Sequence, residues 1–222
     1  MKLKLLLTTA LLLACITGCS EDCKTDHQYN PDHLKRLLTT KECEGCDLWK
    51  ADLSKASLAK ANLRNADLTG ARLDAADLRG ADLRGAKFAF YRSGNSIYSA
   101  CSGLNVRASL VGAKLSGAKL EGAELARVDM SRAILDHAVL KGADMLGVKL
   151  AYAQLNSADL RDTDLQVATL SGANLQGADL SGSTLMFAKF SQANLSGANL
   201  SGANLTGTDF SGAIMPDGKR HQ

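Results

Sequence analysis

Catalytic equipment is what this chain has least of. Its 222 residues include four histidines. Only His137 falls inside the repetitive body, two residues after Leu135 and facing outward. Serines are scattered as repeat filler. There is no glycine-rich phosphate loop and no metal-spaced His/Asp cluster, so no enzymatic activity is expected. Net charge is also scarce: 26 Lys+Arg stand against 23 Asp+Glu. That balance excludes both a basic nucleic-acid surface and an acidic mimic of one. Long apolar runs are absent too. The longest, Leu5 to Ile16, is too short to span a bilayer comfortably as a helix.

What is present is a period of five. Residues 46–90 and 108–212 repeat a small residue, a polar residue, a leucine and two small or polar residues, as in Ala-Asp-Leu-Ser-Lys at 51–55. Leu, Met or Phe holds the centre at every fifth position from 48 to 88 and again from 110 to 210. An α-helix turns about 140° net over five residues, so these leucines would form no stripe. A straight strand fails because five is odd and successive leucines would face opposite sides. The chain must bend once per repeat. The small residue and the leucine, two apart, share an inward face; Asp, Asn, Ser, Gly and Lys lie outside or at the bend. Self-similarity of this kind signals a solenoid.

The pattern Ala-(Asp/Asn)-Leu-x-x resembles the pentapeptide repeat family, over about 30 pentads and roughly two thirds of the chain. The resemblance implies an all-β fold: a right-handed quadrilateral β-helix with one pentad per side. Residues 20 apart would then stack, and about 7.5 coils at ~4.8 Å give a rod of roughly 36 Å. Leu110, Met130, Leu150, Leu170, Phe190 and Phe210 would share one interior column, and Glu124, Asp144 and Asp164 an outward acidic one.

The N-terminus carries an address. Lys2 and Lys4 precede the apolar run, and Ile16-Thr17-Gly18-Cys19 resembles a bacterial lipobox. Residues 1–18 are read as a lipoprotein signal peptide. Cys19 is the lipid attachment site, carrying a diacylglycerol thioether and, in many bacteria, an N-acyl (palmitate-type) chain; no other cofactor is expected. Removing Lys2 and Lys4 leaves 24 Lys+Arg against 23 Asp+Glu, a mature net of +1. Ser20 rather than Asp follows the cysteine, which by resemblance to the Gram-negative sorting rule implies the outer membrane, facing the periplasm. Residues 19–45 form anchor, tether and cap. Asn30-Pro31 reads as a helix start, and Leu34, Leu37 and Leu38 share a face, so a helix over about 31–39 would cover the first coil. The dozen or so residues from Cys19 to that cap hold the coil within roughly 40 Å of the bilayer.

Cys23, Cys43, Cys46 and Cys101 remain after processing. In register Cys43 and Cys46 both point inward. Four readings stay open: core filling, a Cys43–Cys46 disulfide, a redox-active thiol pair, or a zinc site that adds Cys23, His27 and His33. No thioredoxin-like pattern surrounds the pair.

The repeat breaks once. Phe88 and Leu110 are 22 apart, so the phase shifts by two. Residues 91–107 are either an irregular coil or an excursion of about 17 residues from the wall, long enough to be functional. Phe90, Tyr91, Arg92 and Tyr98 are the candidate partner contacts. The second block runs over 108–215 and a polar tail over 216–222. By resemblance, a homodimer would form end to end there through Phe210, Ile214 and Met215. The functional expectation is a non-enzymatic, membrane-anchored scaffold or protein-interaction module whose partner is an envelope protein. The alternatives are a DNA-mimicking topoisomerase-binding protein, which export and the neutral charge oppose, and a thiol or metal protein built on Cys43 and Cys46.

Overall fold

The computed structural model describes residues 28–89 and 106–222. The segment 1–18 read as a signal peptide, Cys19, Cys23, Cys101 and all four proposed contacts Phe90, Tyr91, Arg92 and Tyr98 lie outside the described residues.

One helix, α1 (Pro31–Thr40), precedes the coil. The Asn30 side chain accepts the N–H of Asp32 at 2.9 Å, with Pro31 in the first turn, where its missing N–H costs nothing. The helix stops at Lys41, whose φ of 64° puts it in the left-handed region. Leu37 is fully buried against the coil and Leu34 partly so, but Leu38 is 48% exposed. The inward stripe is therefore narrower than the three-leucine face read from the sequence. One backbone and one side-chain hydrogen bond seat the cap: Asn30 N–H donates to Asp47 O at 3.1 Å, and Asp47 N–H to His33 Nδ1 at 3.0 Å.

The coil follows, four pentads per turn. Parallel bridges join residues 20 apart, from Glu42↔Asn62 to Asn194↔Ile214. Pairing begins at Glu42, one pentad before the repeat is recognisable in the sequence, because Cys43 occupies the leucine position. Among the described residues each bridge is isolated; no continuous strand forms, since every pentad turns a corner before a second residue can pair. The interior is built from the predicted registers, with Ala and Leu essentially inaccessible throughout. Phe190 and Phe210 stack in one column, ring centroids 5.4 Å apart.

Where Asp or Asn holds the polar position, as around Trp49, every backbone N–H of the pentad finds an acceptor. Around the corner at Trp49, Leu48 N–H and Lys50 N–H donate to the next coil (Asp67 O, Thr69 O), Asp67 N–H donates back to Cys46 O, and Ala51 N–H closes the turn onto Leu48 O. The remaining donor, Trp49 N–H, goes to Asp47 Oδ1 at 3.3 Å. The same Asx bond recurs at Asp67, Asp77, Asp82, Asp129, Asp159, Asn174 and Asn194. The Asp/Asn of the repeat, which reads as surface filler, is thus the acceptor for the one donor that coil stacking leaves over.

Candidate functional site

The break at 89–107 is a corner event. Arg72 pairs with Ser109 and Lys87 with Glu124, an interval of 37 where the other coils have 20, so the insertion adds 17 residues. Residues 90–105 themselves lie outside the described residues. Ala108 N–H donates to Phe88 O at 2.7 Å, which keeps the wall continuous, and Ala89 pairs antiparallel with Arg107 to join the two ends of the insertion. Val106 lies over Gly70, in the space a β-carbon there would fill. Gly70 has φ +70° and belongs to the same corner one coil earlier.

Stacking places the turn residues 126/127, 146/147, 166/167, 186/187 and 206/207 on this insertion corner. Here stand Leu146, Val167, Met186 and Phe187. The sequence reading did not single them out. Val167 is 53% and Phe187 58% exposed, and on the next corner Tyr152 is 62% exposed. All three occupy positive-φ positions that glycine fills elsewhere in the same columns: Gly147 and Gly207, and Gly172. A bulky residue at a fifth position normally held by glycine is the signal that would have found them.

The acidic column is as expected: Glu124, Asp144 and Asp164 pair in succession, with Lys87 beside Glu124. Asp144 accepts Leu146 N–H at 3.2 Å, and Asp164 accepts both Gln166 N–H and its side-chain amide. Asp144 and Asp164, but not Glu124, line a shallow depression of about 480 Å³ with Gly142 and Asp162. Asp162 is ion-paired to Lys141 at 3.8 Å. Among the described residues no group of three or more His, Cys, Asp or Glu is placed to hold a metal ion.

Under α1, Cys43 and Cys46 are joined by a disulfide and fully buried. The two sulfurs see different surroundings. Arg36 Nη2 donates to Cys46 Sγ at 2.8 Å, whereas Cys43 Sγ sits 3.2 Å from the His33 carbonyl oxygen. The disulfide and inward packing are thus compatible rather than rival readings.

The C-terminal end is not bare. The tail turns at Met215–Lys219 and runs back, Ile214 pairing antiparallel with Arg220. His221 N–H donates to Ala213 O at 2.7 Å, and its ring lies 6.1 Å from that of Phe210. Phe210 is consequently only 8% exposed, and Ile214 and Met215 are half-buried under their own chain. These three proposed dimer residues already have an intramolecular partner. What the tail leaves open is the other half of the last coil, where Leu200 is partly buried and Leu205 is 38% exposed.

Eight copies of the pentapeptide repeats model match, over residues 42–74, 51–89, 108–147, 149–186 and 185–216. The chain belongs to the pentapeptide repeat family. This pentapeptide repeat protein is 30% identical to HetL, involved in heterocyst differentiation regulation in the cyanobacterium Nostoc sp. strain PCC 7120, covering 88% of this chain and 100% of that one with a TM-score of 0.42. It is 28% identical to Rfr23 of the cyanobacterium Cyanothece 51142, over 82% and 92% of the two chains, at a TM-score of 0.37. It is 17% identical to QnrB1, a plasmid-mediated fluoroquinolone resistance protein, over 69% and 67%, at 0.34. No curated protein matches.

Proposed function

We propose that this pentapeptide repeat protein is a lipid-anchored, non-catalytic interaction scaffold of the bacterial envelope, held by Cys19, with its coil wound as a right-handed quadrilateral β-helix. The observation that carries the reading is the Ile16-Thr17-Gly18-Cys19 motif placed about a dozen residues before the helix that caps the rod. Such a rod has an inert Ala/Leu interior, so its working parts are its corners and ends. The partner contact is assigned to the insertion, through Phe90, Tyr91, Arg92 and Tyr98, because its two ends are fixed to the wall by the Ala89–Arg107 pair and a long insertion at a rigid corner is a usual place for binding residues.

A DNA-mimicking role fits less well: 26 Lys+Arg against 23 Asp+Glu give the rod no duplex-like negative field. A thiol role would require the buried Cys43–Cys46 pair to become accessible.

Globomycin, which blocks lipoprotein signal cleavage, tests the anchor. Accumulation of precursor supports it, and unchanged processing removes it. Crosslinking in native membranes followed by pull-down tests the scaffold role. Recovery of an envelope protein that is lost on deleting residues 91–103 supports the insertion as the contact; unchanged recovery refutes it.

A further inference from the structure

One wall of the coil differs in chemistry from its neighbours. It lies between the insertion corner and the corner bearing Tyr152, and after the insertion its outward column is Ser109, Asp129, Lys149, Thr169, Lys189 and Asp209. Over residues 106–212 this wall and its two corners carry five cations, Arg107, Arg127, Arg132, Lys149 and Lys189, against two anions, Asp129, which is ion-paired to Lys149 at 3.5 Å, and Asp209, a net of +3. The wall on the other side of the insertion corner carries Glu124, Asp144 and Asp164. Charge that nearly cancels over the whole chain is thus sorted onto separate sides of the rod.

The exposed aromatics follow the positive side. Phe187 and Val167 edge this wall on one corner and Tyr152 on the other. Their φ values are 57°, 51° and 59°. A β-branched or aromatic residue is strained there, and none of the three gains burial in return. Gly207 and Gly172 stand beneath the Phe187 and Tyr152 rings, which lie within 2.6 Å of where β-carbons on those glycines would be. Small residues thus let the rings spread along the wall.

We propose that this wall is a docking surface for an anionic lipid bilayer. Aromatic and aliphatic groups flanking a row of Lys and Arg on a flat face match the chemistry of a headgroup layer: rings enter the interface while ammonium and guanidinium groups meet lipid phosphates. A straight wall of stacked columns meets a plane without bending. The proposal rests on the lipid-anchored reading for its geometry. The dozen or so residues from Cys19 to the cap helix, at ~3.5 Å each, span at most about 40 Å. Six coil spacings of ~4.8 Å separate the first coil from Phe187, about 30 Å. The tether is therefore long enough for the rod to lie along the membrane on this wall.

The test places single tryptophan reporters, Phe187→Trp on the wall's edge and Gln176→Trp on the diagonal corner, in a Trp49→Phe background of the full chain. Circular dichroism first checks that each variant is folded. The protein is added to vesicles containing about one-third phosphatidylglycerol or phosphatidylcholine alone. On anionic vesicles the position-187 reporter should shift to the blue and be quenched by brominated lipid about threefold more than the position-176 reporter. The contrast should fade on neutral vesicles, at high salt, and in the Lys149→Gln/Lys189→Gln variant. Equal quenching at both positions, or the same contrast on neutral vesicles, overturns the proposal. A blue shift given instead by soluble polyglutamate reassigns the wall to an acidic protein and overturns it too. Failure of the anchor leaves the reporter contrast on added vesicles intact, whereas failure of the docking wall leaves a chain that floats with membranes but quenches equally at both positions.

Discussion

The ring of Phe187 lies across Gly207, its Cδ1 2.5 Å from where a β-carbon on that glycine would stand. Gly207 also has φ +67°. Gly207→Ala therefore meets two penalties, a displaced ring and a left-handed backbone, and should destabilise the C-terminal coils by about 1–2 kcal/mol. Val167→Gly relieves the second penalty and should stabilise by roughly 1 kcal/mol. Solenoids unfold by neighbouring repeats, so hydrogen exchange of coils near 165–210 is a better readout than a single melting point. A Gly207→Ala variant with unchanged exchange would show that the ring is not seated there.

The disulfide under α1 closes a loop with a sequence separation of only 3. Loop-closure entropy for so short a ring gives about 2 kcal/mol at most. Reduction should therefore loosen the cap without melting the rod. Alkylation after denaturation should label two more thiols with reductant than without. Exchange should rise at 30–47 and stay unchanged beyond 110. Loss of protection along the whole coil on reduction would mean that the cap, not the stacked core, holds the solenoid together.

Asp77 shows how the surface polar position titrates. Its carboxylate accepts a fork from Arg79, Nε at 2.8 Å and Nη2 at 2.7 Å, and this holds its pKa at about 2, below the ordinary 3.8. The folded value is the depressed one, so the contribution is complete above pH 3.8 and is lost as pH falls towards 2. Asp82 and Asp159 are lowered by the same arginine fork, from Arg84 and Arg161. Stability should accordingly fall as acid is added through that window. Asp77→Asn keeps an acceptor for Arg79 N–H and loses the fork; it should cost under about 1 kcal/mol and flatten part of the acid limb. Asp77→Ala removes the Asx acceptor as well and should cost about 1 kcal/mol more. Equal losses for the two variants would rule out the Asx bond as the reason for Asp at this position.

The interior was legible because one geometry repeats. Period five excluded helix and strand, and stacking by 20 placed Phe190 and Phe210 in one column. The phase slip between Phe88 and Leu110 located the insertion, and the Arg72–Ser109 pairing shows that the columns resume in register across it. The fate of Cys43 and Cys46 was open, since both inward registers are compatible with packing and with a bond. Residues 216–222 have no periodicity and read as a free tail, yet Arg220 and His221 pair with the last coil. Tyr152, Val167 and Phe187 were hidden because the repeat was read along the chain, while their meaning lies across coils.

The aromatic column gives a core prediction. Phe190 is fully buried in stacked contact with Phe210. Phe190→Ala should cost about 3–5 kcal/mol through lost burial and the cavity left between coils. Phe190→Leu restores the unit found at Leu170 one coil earlier and should recover much of that loss. The comparison is read by chemical denaturation of coils 150–215. A mild Phe190→Ala effect would mean the coils collapse onto the space.

The tail decides how the rod ends. It satisfies the Ile214 edge and covers Phe210, while Leu205 on the adjoining side stays 38% exposed. An unpaired edge beside exposed leucine is a surface on which second copies associate. Deleting 216–222 uncovers Phe210, Ile214 and Met215 together and opens the remaining edge. Light scattering of the full chain against this truncation should show mass shifting towards dimer in the truncated form, and Leu205→Lys should reverse the shift. If the truncated rod stays monomeric at high concentration, the open coil end is not an association surface. If the full chain is already dimeric and Leu205→Lys leaves it so, the contact lies elsewhere on the rod.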